Sequence, residues 1–483
     1  MIILLAFGLK GVKRSMKKTK IICSIGPASC NVEVMTRMVN SGMNVARINF
    51  SHATTEEKEN VVATVKKVRE ITGKNIAILY DTKGPEFRNG MVENDEIILE
   101  EGKTIRVVKE NILGTKEAFS VNHPKAIDSL NVGNIILLEN GLMKIEVISK
   151  DDDGVTCKII NGGKLGNKKS LSAPGVKLDI PFISPEDYED IVYACQHDGD
   201  FLALSFVSTK EDVLEAREIL KKCNRENLKI ISKIESTTGI DNIKEIVEVS
   251  DGIMVARGDL GVEAPMEELP YLQRLIIKEC HRQGKFSIVA TEMLESMKKN
   301  SRPTRAEVSD IANAVMNGTD AVMLSGETTT GKYPAEAVGY MASICEATEK
   351  HLNYEVNIDF TSKTIGGAIA TSVVETANLL DAKLIVATTT SGASARRVSN
   401  LRPKCLVLAT CVSSEVARSL ALNWAVYPVV TNAYKTTDEI VDDAKEKANN
   451  FMKFDKEDLL LITGCFSNNT GVKSTNFMKI EKI

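Results

Sequence analysis

The chain has 483 residues, which at roughly 100–200 residues per domain allows two to four domains. Its composition, 43% hydrophobic and 26% charged, excludes collagen-like and disordered proteins. A net charge of −4 gives no reason to expect a nucleic acid or an anionic membrane surface as a partner, and no apolar run approaches the roughly 18 residues of a membrane helix.

The amino-terminal stretch differs in pattern from the rest of the chain. A short apolar run precedes its positive charges, which is the reverse of the order in a secretory signal peptide. Strand-like sequence begins only at Met16, in MKKTKIICSIGPAS. We therefore interpret residues 1–16 as a leader outside the native fold and Met16 as the natural start.

The cysteines and histidines give no sign of a zinc or redox site. The ten cysteines are scattered without CxxC spacing, and the five histidines lack metal-ligand spacing. A chain of this length does not need disulfides for stability, so we expect reduced thiols and a cytoplasmic location.

Short β-branched apolar runs alternate with longer amphipathic segments over most of the chain. Apolar strands that alternate with helices predict parallel strands buried on both faces, and eight such units predict a (β/α)₈ TIM barrel. A doubly wound open sheet is the structural alternative. The barrel would comprise residues 17–83 and 179–350. The predicted strands are 19–26, 43–51, 75–83, 200–206, 228–235, 251–259, 286–293 and 320–327.

Two further segments complete the predicted architecture. Residues 84–178 are rich in strand and turn signals, such as VGNIILLENGLMKIEVIS, and predict a small β-barrel-like or sandwich domain of short antiparallel strands, inserted after the third barrel strand. Residues 351–483 contain a helical segment at 361–380 and then alternate strands with helices. They predict a smaller C-terminal α/β domain.

Six of the predicted barrel strands end in polar or charged residues. Charges at the ends of apolar strands are costly to bury unless they are paired or bound. Because TIM barrels carry their chemistry at the carboxyl ends of the strands, these ends predict a site for anions and cations. The ends are 47–51, 81–83, 233–235, 257–259, 291–292 and 325–327.

The strongest single pattern is Lys233, Glu235 and Asp259. Lys233 and Glu235 are two residues apart on one strand, so they face the same side, and Asp259 follows the next strand. Two carboxylates together with waters and substrate oxygens suit Mg²⁺ or Mn²⁺. The alternative that this spacing leaves open is a structural ion pair between Lys233 and Glu235.

A second group of polar side chains suits a monovalent cation. Asn49 and Ser51 share a strand face with Arg47, and their oxygens beside Asp81 and Thr82 would form a weakly charged cage suited to K⁺. Ordinary hydrogen bonding of these side chains to loop backbone is the alternative.

The segment Gly258-Asp259-Leu260-Gly261 would let backbone approach a ligand closely before a following helix. A tight turn between strand and helix explains the pattern equally well. No Walker A loop is present, since Glu101-Gly102-Lys103-Thr104 has Ile97 where the first glycine belongs.

From about Lys17 onward the chain contains, in order, MNVARINFSH, LYDTKGPEFR, NGGKLGNKKS, IISKIE, DGIMVARGDLGVE, SMKKNSRPTRAEVSDIANAV and MLSGETTTGKYPAEAV. This ordered set closely resembles the pyruvate kinase family. The resemblance implies a barrel A domain, an inserted B domain that closes over the site as a lid, and a C domain. It also implies transfer of the phosphoryl group of phosphoenolpyruvate to ADP, giving pyruvate and ATP in glycolysis.

The resemblance assigns roles to the matching residues at the strand ends. Lys233 would stabilise the phosphoryl group in transfer, and Arg47 would contact that group. Glu235 and Asp259 would bind Mg²⁺ or Mn²⁺. The residues that would hold the pyruvate end of the substrate are Gly258, Asp259 and Thr291.

By the same resemblance, Asn49, Ser51, Asp81 and Thr82 would bind K⁺, and Glu86 matches a position whose carboxylate accompanies K⁺ dependence in the family. The residues that would contact ADP or ATP are Asn49, His52, Arg88 and Lys169.

The chain departs from the family pattern at three places. Glu292 replaces a glutamine after the strand-seven threonine and adds a negative charge near the substrate carboxylate. Glu139-Asn140-Gly141 stands where Asp-Asp-Gly is usual, and Ser170 replaces a glycine after Lys169. These departures bear on rate and affinity more than on the class of reaction.

The C-terminal segment contains a stretch that resembles the family's sugar-phosphate effector loop. Hydroxyls and backbone amides before a helix suit a phosphate group, although an unliganded loop would look the same. A homotetramer is implied by the resemblance alone. The effector-loop residues are Thr389, Thr390, Ser391, Gly392 and Ser394.

Two other classes of function compete with a kinase. A metal-dependent lyase or aldolase acting on pyruvate enolates would share the Arg47, Glu235 and Asp259 cluster, but it would need neither a K⁺ cage nor Lys169. A non-catalytic binding protein would not need the charged site residues that this chain retains.

Overall fold

A computed structural model describes residues 16–51, 53–356, 363–434, 436–465 and 474–483. The predicted leader, except Met16, and the predicted nucleotide contact His52 therefore lie outside the described residues. Packing among the described residues defines two compact units, one with residues 49–51 and 80–291 and the other with the rest. No helix in this part of the chain has the length and apolar character needed to cross a bilayer.

The described chain begins with alternating strands and helices. A capping box between Thr54 and Glu57 starts the second helix, and Gly73 ends it with a φ of +65°, a conformation that glycine adopts without strain. The elements are β1 (Lys20–Ser24), α1 (Val32–Ser41), β2 (Val45–Asn49), α2 (Thr55–Thr72) and β3 (Ala77–Asp81).

The segment inserted after β3 has a hydrophobic core of its own, which includes Ile105, Phe119 and Ile145. Its strands form a six-stranded sheet, in which one pair is parallel, and a two-stranded sheet. Among the described residues the larger sheet is open, and its edge strands have two and three residues. The strands are β4 (Glu96–Leu99), β5 (Thr104–Val108), β6 (Ala118–Ser120), β7 (Ile135–Leu138), β8 (Met143–Lys150), β9 (Gly154–Asn161), β10 (Gly163–Gly166) and β11 (Leu171–Ser172).

The chain then returns to strands that alternate with helices. Every residue of the strands at 252–256 and 286–290 is buried, as expected for parallel strands covered on both faces. The elements are α3 (Pro185–Gln196), β12 (Phe201–Leu204), α4 (Lys210–Lys222), β13 (Lys229–Ile234), α5 (Thr237–Asp241), α6 (Ile243–Val249), β14 (Gly252–Ala256), α7 (Arg257–Glu263), α8 (Leu269–Arg282), β15 (Phe286–Ala290), α9 (Arg305–Met316), β16 (Ala321–Leu324), α10 (Gly326–Thr329) and α11 (Pro334–Glu349).

Eight of these strands close into a barrel in the order β1-β16-β15-β14-β13-β12-β3-β2. All eight predicted strand segments contain a barrel strand, so the predicted TIM barrel is confirmed and the open-sheet alternative is wrong. In such a barrel the carboxyl ends of the parallel strands share one face, which is where the sequence places the candidate site residues.

The C-terminal part of the chain is an α/β domain, as predicted. Its sheet has the order β19-β18-β17-β20-β21, with only the last pair antiparallel. The elements are α12 (Ile365–Leu379), β17 (Leu384–Thr389), α13 (Ala393–Asn400), β18 (Leu406–Cys411), α14 (Ser414–Ser419), β19 (Val426–Val430), α15 (Thr437–Phe451), β20 (Leu459–Gly464) and β21 (Phe477–Lys482).

Buried lysines at the start of β1 bond to uncharged oxygens. The Nζ of Lys17 donates to Asn44 Oδ1 at 2.7 Å, and that of Lys20 donates to the carbonyl oxygen of Val426 at 2.6 Å. Burial lowers the pKa of Lys17 to about 8, and it lowers the pKa of Lys20 as well. These lysines belong to the scaffold of their unit.

Candidate active site

Lys233 lies near the end of β13 with its side chain only 12% exposed. Its Nζ donates to Ser205 Oγ at 2.7 Å. The same Nζ lies 3.1 Å from Glu235 Oε1 and 3.3 Å from Asp81 Oδ1. One buried ammonium therefore meets two carboxylates, so the cluster carries an excess of negative charge when both are ionised.

Glu235 is buried and held by backbone. Its carboxylate accepts the N–H of Phe206 at 2.6 Å, and Phe206 adopts a φ of +58°, an unusual conformation for a bulky residue. Burial raises the pKa of Glu235 to about 7; Lys233 opposes this rise, and the nearby carboxylates of Asp259 and Asp81 add to it. A carboxylate under this repulsion is stabilised by an added cation.

The donors at this place fit a hard divalent cation. Glu235 and Asp259 offer carboxylate oxygens, which Mg²⁺ and Mn²⁺ prefer, and water or substrate oxygens can complete the coordination. The described residues contain no group of three or more histidines, cysteines or carboxylates suited to a metal. The ion pair between Lys233 and Glu235, which the spacing left open as an alternative, is present in the structure.

The residues predicted to hold K⁺ lie on neighbouring strand ends within the same unit. The N–H of Phe50 donates to the carbonyl oxygen of Asp81 at 3.0 Å, which ties the ends of β2 and β3 together. Asn49 Oδ1 accepts the N–H of Ser51 at 3.2 Å, so the local hydrogen bonding considered as an alternative occurs here. Amide, hydroxyl and carboxylate oxygens of this kind, with Thr82 adjoining, fit a weakly charged cage.

Thr291 is joined to the beginning of α7. Its Oγ1 accepts the N–H of Gly258 at 2.9 Å, and its φ is +71°. The segment from Gly258 to Gly261 was expected to precede a helix, but it lies inside α7, because the chain enters the helix at Arg257 directly after β14. The first turn of this short helix therefore carries Asp259.

Arg47 lies on β2 in the other unit. Its Nη1 donates to Ser24 Oγ at 2.7 Å, at the end of β1. Two parallel neighbouring strands thus fix the guanidinium at their carboxyl ends.

The two basic residues predicted to contact the nucleotide each hold a carboxylate. Arg88 forms a two-point contact with Glu86, at 2.9 and 2.7 Å, which raises the pKa of Arg88. Lys169 Nζ lies 2.7 Å from Glu139 Oε1. Glu86, which was expected to accompany K⁺ binding, contacts Arg88 and lies 3.9 Å from Lys83 Nζ.

A cleft of about 240 Å³ lies within this unit. The inserted segment contributes Arg88, Asn140 and Ser170 to its wall, and the barrel loops contribute Glu235 and Asp259. The predicted metal ligands thus face a cavity that residues of the inserted segment also line.

Comparison with protein families identifies the chain. The model of the pyruvate kinase barrel domain matches residues 16–338, and the model of the pyruvate kinase alpha/beta domain matches residues 367–481. The chain belongs to the pyruvate kinase family. The predicted family and the predicted class of enzyme, a phosphotransferase, are confirmed, and neither alternative class gains support.

Individual pyruvate kinases are similar over nearly the whole chain. The pyruvate kinase of Staphylococcus haemolyticus is 45% identical over 97% of this chain and 81% of the relative. That of Geobacillus stearothermophilus is 45% identical over 97% of this chain and 80% of the relative. A crystal structure of a pyruvate kinase from Cryptosporidium parvum, 37% identical, superposes with a TM-score of 0.91 over 97% of this chain and 96% of that chain.

Two departures from the pyruvate kinase pattern contact each other. Ser170 Oγ donates to Asn140 Oδ1 at 2.8 Å and accepts the N–H of Asn140 at 3.1 Å. Glu139 and Asn140 both have positive φ, at 48° and 55°. Ser170 is thus hydrogen-bonded to the Glu139-Asn140-Gly141 turn. The sequence alone did not predict this contact. Glu292, the third departure, also has a positive φ, of 53°.

Sequence reasoning missed Ser205 and Phe206, which follow β12. Both contact predicted site residues: Ser205 Oγ accepts from Lys233, and the N–H of Phe206 donates to Glu235. The available signal was the run DFLALSF, a predicted strand whose polar end is not among the six strand ends that predicted the site.

The predicted effector loop lies at the end of β17 and the start of α13. Gly392 has a φ of +82° and directly precedes the helix, and Ser394 Oγ lies 2.8 Å from Thr475 Oγ1. Arg396 donates to the carbonyl oxygen of Ser391 at 2.8 Å and adds a basic neighbour that the resemblance did not indicate. Residues 466–473 of the following loop lie outside the described chain.

Proposed function

We propose that this chain transfers the phosphoryl group of phosphoenolpyruvate to ADP. The P–O bond to the enol oxygen breaks, a bond to a terminal oxygen of ADP forms, and the enolate takes up a proton to give pyruvate. The supporting observation is the charge of the cluster around Lys233. Its carboxylates would repel phosphates on their own, so the arrangement suits anions that arrive together with cations.

Within this proposal the catalytic residues are Lys233, Arg47 and Thr291. The ammonium of Lys233 and the guanidinium of Arg47 act on the phosphoryl group, whose charge is spread over its oxygens during transfer. The first turn of α7 orients the pyruvate end of the substrate. The residues that hold this end are Gly258, Asp259 and Thr291.

The cations have separate ligands in this proposal. Glu235 and Asp259 would hold Mg²⁺ or Mn²⁺, which supplies charge neutralisation for the phosphoryl and enolate oxygens when bound. A K⁺ ion would be held by Asn49, Ser51, Asp81 and Thr82. The contact of Glu235 with the Phe206 amide keeps this carboxylate oriented towards the cleft.

The nucleotide is proposed to contact the inserted segment. Arg88 and Lys169 bear positive charges there, and each is held by a carboxylate that ADP phosphates would compete with. The proposed nucleotide contacts are Asn49, His52, Arg88 and Lys169.

We assign the domains as the sequence suggested: residues 17–83 and 179–350 form the barrel domain, residues 84–178 form a lid domain, and residues 351–483 form the C-terminal domain. The separate hydrophobic core of the inserted segment supports its treatment as a unit.

A sugar phosphate is the proposed effector, with a homotetramer in the cytoplasm as the working form. Support for the effector comes from hydroxyls and a positive-φ glycine before α13, with Arg396 beside them. All ten cysteines are free thiols, which suits a reducing compartment. The proposed effector residues are Thr389, Thr390, Ser391, Gly392 and Ser394.

A coupled assay with lactate dehydrogenase tests the reaction. Phosphoenolpyruvate and ADP are supplied with Mg²⁺, and either K⁺ or a large inert monovalent cation is added. We expect pyruvate formation that depends on K⁺, and a panel of sugar phosphates then tests the effector. No pyruvate with both cations present would refute the proposed reaction, whereas equal rates with the inert cation would refute the K⁺ site alone.

A further inference from the structure

Ser205 occupies an unusual position among the described residues of the site. It directly follows β12, is only 2% exposed, and lies in the same unit as Lys233. Its Oγ accepts from Lys233 Nζ at 2.7 Å and donates to the carbonyl oxygen of Thr82 at 2.7 Å. Its N–H donates to Thr82 Oγ1 at 3.2 Å. One small side chain therefore touches the lysine and the strand end that carries proposed K⁺ ligands.

The direction of these hydrogen bonds follows from the groups involved. An ammonium can only donate and a carbonyl oxygen can only accept. The single hydroxyl proton of Ser205 must therefore point to Thr82, while its lone pair receives Lys233. Asp81 Oδ1, at 3.4 Å, is the weaker alternative acceptor for the same proton. The hydroxyl thus fixes the two neighbours at once, in one defined orientation.

Packing leaves Ser205 little freedom. A Cβ placed on Gly84 would lie 2.8 Å from Ser205 Cβ, so backbone passes directly over the serine. That stretch of backbone is itself fixed, because Asp187 Oδ1 accepts the N–H groups of Lys83 and Gly84 at 3.2 and 3.1 Å. A side chain larger than serine would displace this stretch, and one without a hydroxyl would leave a donor of Lys233 unsatisfied.

We propose that Ser205 is a positioning residue that couples Lys233 to the proposed K⁺ cage. It holds the lysine ammonium in line with the transferring group and orients the Thr82 carbonyl oxygen for the cation. The inference rests on the proposed function, since it gives Ser205 a task only if Lys233 and Thr82 have theirs. Ser205 itself touches no reacting atom in this proposal.

The test compares Ser205→Ala and Ser205→Cys with Ser232→Ala. Ser232 is the matched control, because it is equally buried, adjoins Lys233 in sequence, and pairs its Oγ with Ser250 Oγ at 2.7 Å. We expect Ser205→Ala to lower kcat by about 10- to 100-fold, as loss of a partner that orients a functional group typically does. KM for phosphoenolpyruvate should change by less than about threefold. Ser205→Cys, whose larger sulfur atom presses on the backbone at Gly84 and keeps only a weak donor, should lower kcat as well.

A second readout does not require turnover. Thermal unfolding is measured without substrates or divalent metal, in K⁺ and in tetramethylammonium. We expect K⁺ to raise Tm of the wild type and of Ser232→Ala, and to raise that of Ser205→Ala less. Ser205→Ala with kcat within about twofold of the control and an unchanged K⁺ response would overturn the proposal. Absence of turnover in the wild type and the control would instead refute the proposed function.

Discussion

Buried lysines in two groups, Lys233 alone and Lys17 with Lys20, have different hydrogen-bond partners. Lys233 meets the carboxylates of Glu235 and Asp81, while Lys17 and Lys20 bond to neutral oxygens at the start of β1. In the first group two carboxylates face one ammonium, and burial raises the pKa of Glu235, with the charges of Asp259 and Asp81 adding to the rise. In the second group the bonded oxygens are neutral, and burial lowers the pKa values of both lysines although the charge of Glu349 opposes this lowering.

This difference in hydrogen-bond partners distinguishes the candidate site around Lys233 from the structural lysines Lys17 and Lys20. A buried charge without full compensation destabilises the folded state, whatever its sign. Near Lys233 an added cation would relieve the excess, so this place can gain binding energy from a ligand. Around Lys17 the cost of burying the ammonium is offset by its hydrogen bond to Asn44 Oδ1 and by the charge of Glu349, which opposes the lowering of its pKa. Burial of a lysine alone therefore does not mark function; the distinction here is that Lys233 lies within 3.3 Å of two carboxylates, whereas Lys17 and Lys20 donate to neutral oxygens.

The largest expected effect on turnover comes from replacing Lys233, the buried lysine of the candidate site. Lys233→Met should lower kcat by at least about 100-fold, because a preorganised charge at the phosphoryl group is lost. The folded structure should persist, since excess carboxylates can take up protons. Steady-state kinetics and circular dichroism check both points.

Lys17→Met is the control for this variant, because it removes a lysine that is also buried and hydrogen-bonded. It should leave kcat unchanged. Full turnover in Lys233→Met, or an equal loss in both variants, would remove the distinction between the two groups.

Much of this comparison was visible in the sequence. The two-residue spacing of Lys233 and Glu235 placed both on one strand face, and the apolar runs placed that strand in a barrel. Periodicity carries such information because it is local. The choice between a metal site and an ion pair could not be made from spacing, since the observed arrangement contains the ion pair and also presents the carboxylates that a metal would need.

Contacts between distant segments could not be predicted from the sequence. Ser205 and Phe206 reach the site only because β12 lies beside β13 in the closed barrel. Ser170 and Asn140 appeared to be separate departures, yet they bond across 30 positions of sequence. The division of the inserted segment into a six-stranded and a two-stranded sheet could not be predicted, because turn signals do not determine which strands pair.

The second prediction concerns how the ionisation of Glu235, in the candidate site, changes the free energy of unfolding with pH. The folded-state pKa of Glu235 is about 7, above its usual 4.5, so its ionisation lowers stability progressively as pH rises from 4.5 through 7. Glu235→Gln cannot ionise and keeps an oxygen for the Phe206 amide. In metal-free buffer it should therefore be more stable than wild type above pH 7, by roughly 3 kcal/mol at most. The advantage should disappear below pH 4.5.

Denaturant unfolding at a series of pH values in a chelator measures this difference. Asp187→Asn is a comparison variant outside the charged cluster, which should not gain stability as pH rises. A wild type that stays equal to Glu235→Gln above pH 7 would show that ionisation of the buried Glu235 does not destabilise the folded chain.

The third prediction concerns Lys17, whose effect on the free energy of unfolding has the opposite pH dependence. The folded-state pKa of Lys17 is about 8, below its usual 10.5, so the unfolded chain binds more protons between these values and stability should rise with pH. Lys17→Met removes this dependence, and the slope of unfolding free energy against pH from 8 to 10 should fall by up to about 1.4 kcal/mol per pH unit. Denaturant unfolding checks the slope, with Lys66→Met, an exposed lysine of α2, as control.

The smallest expected effect concerns a third lysine, which lies between the two extremes. Lys169 is 41% exposed and pairs with Glu139, whose side chain is 25% exposed. Pairs of this kind contribute about 0.2–1 kcal/mol, because water and salt screen them. If ADP phosphates must displace Glu139 from Lys169, Glu139→Gln should lower KM for ADP by about 1.5- to 5-fold and leave kcat unchanged. Glu100→Gln is the matched control, since it breaks an exposed ion pair with Lys103 in the same segment and should leave KM for ADP unaltered. The effect should shrink at high salt, and a rise in KM would mean that Glu139 instead holds Lys169 in the orientation that the nucleotide needs.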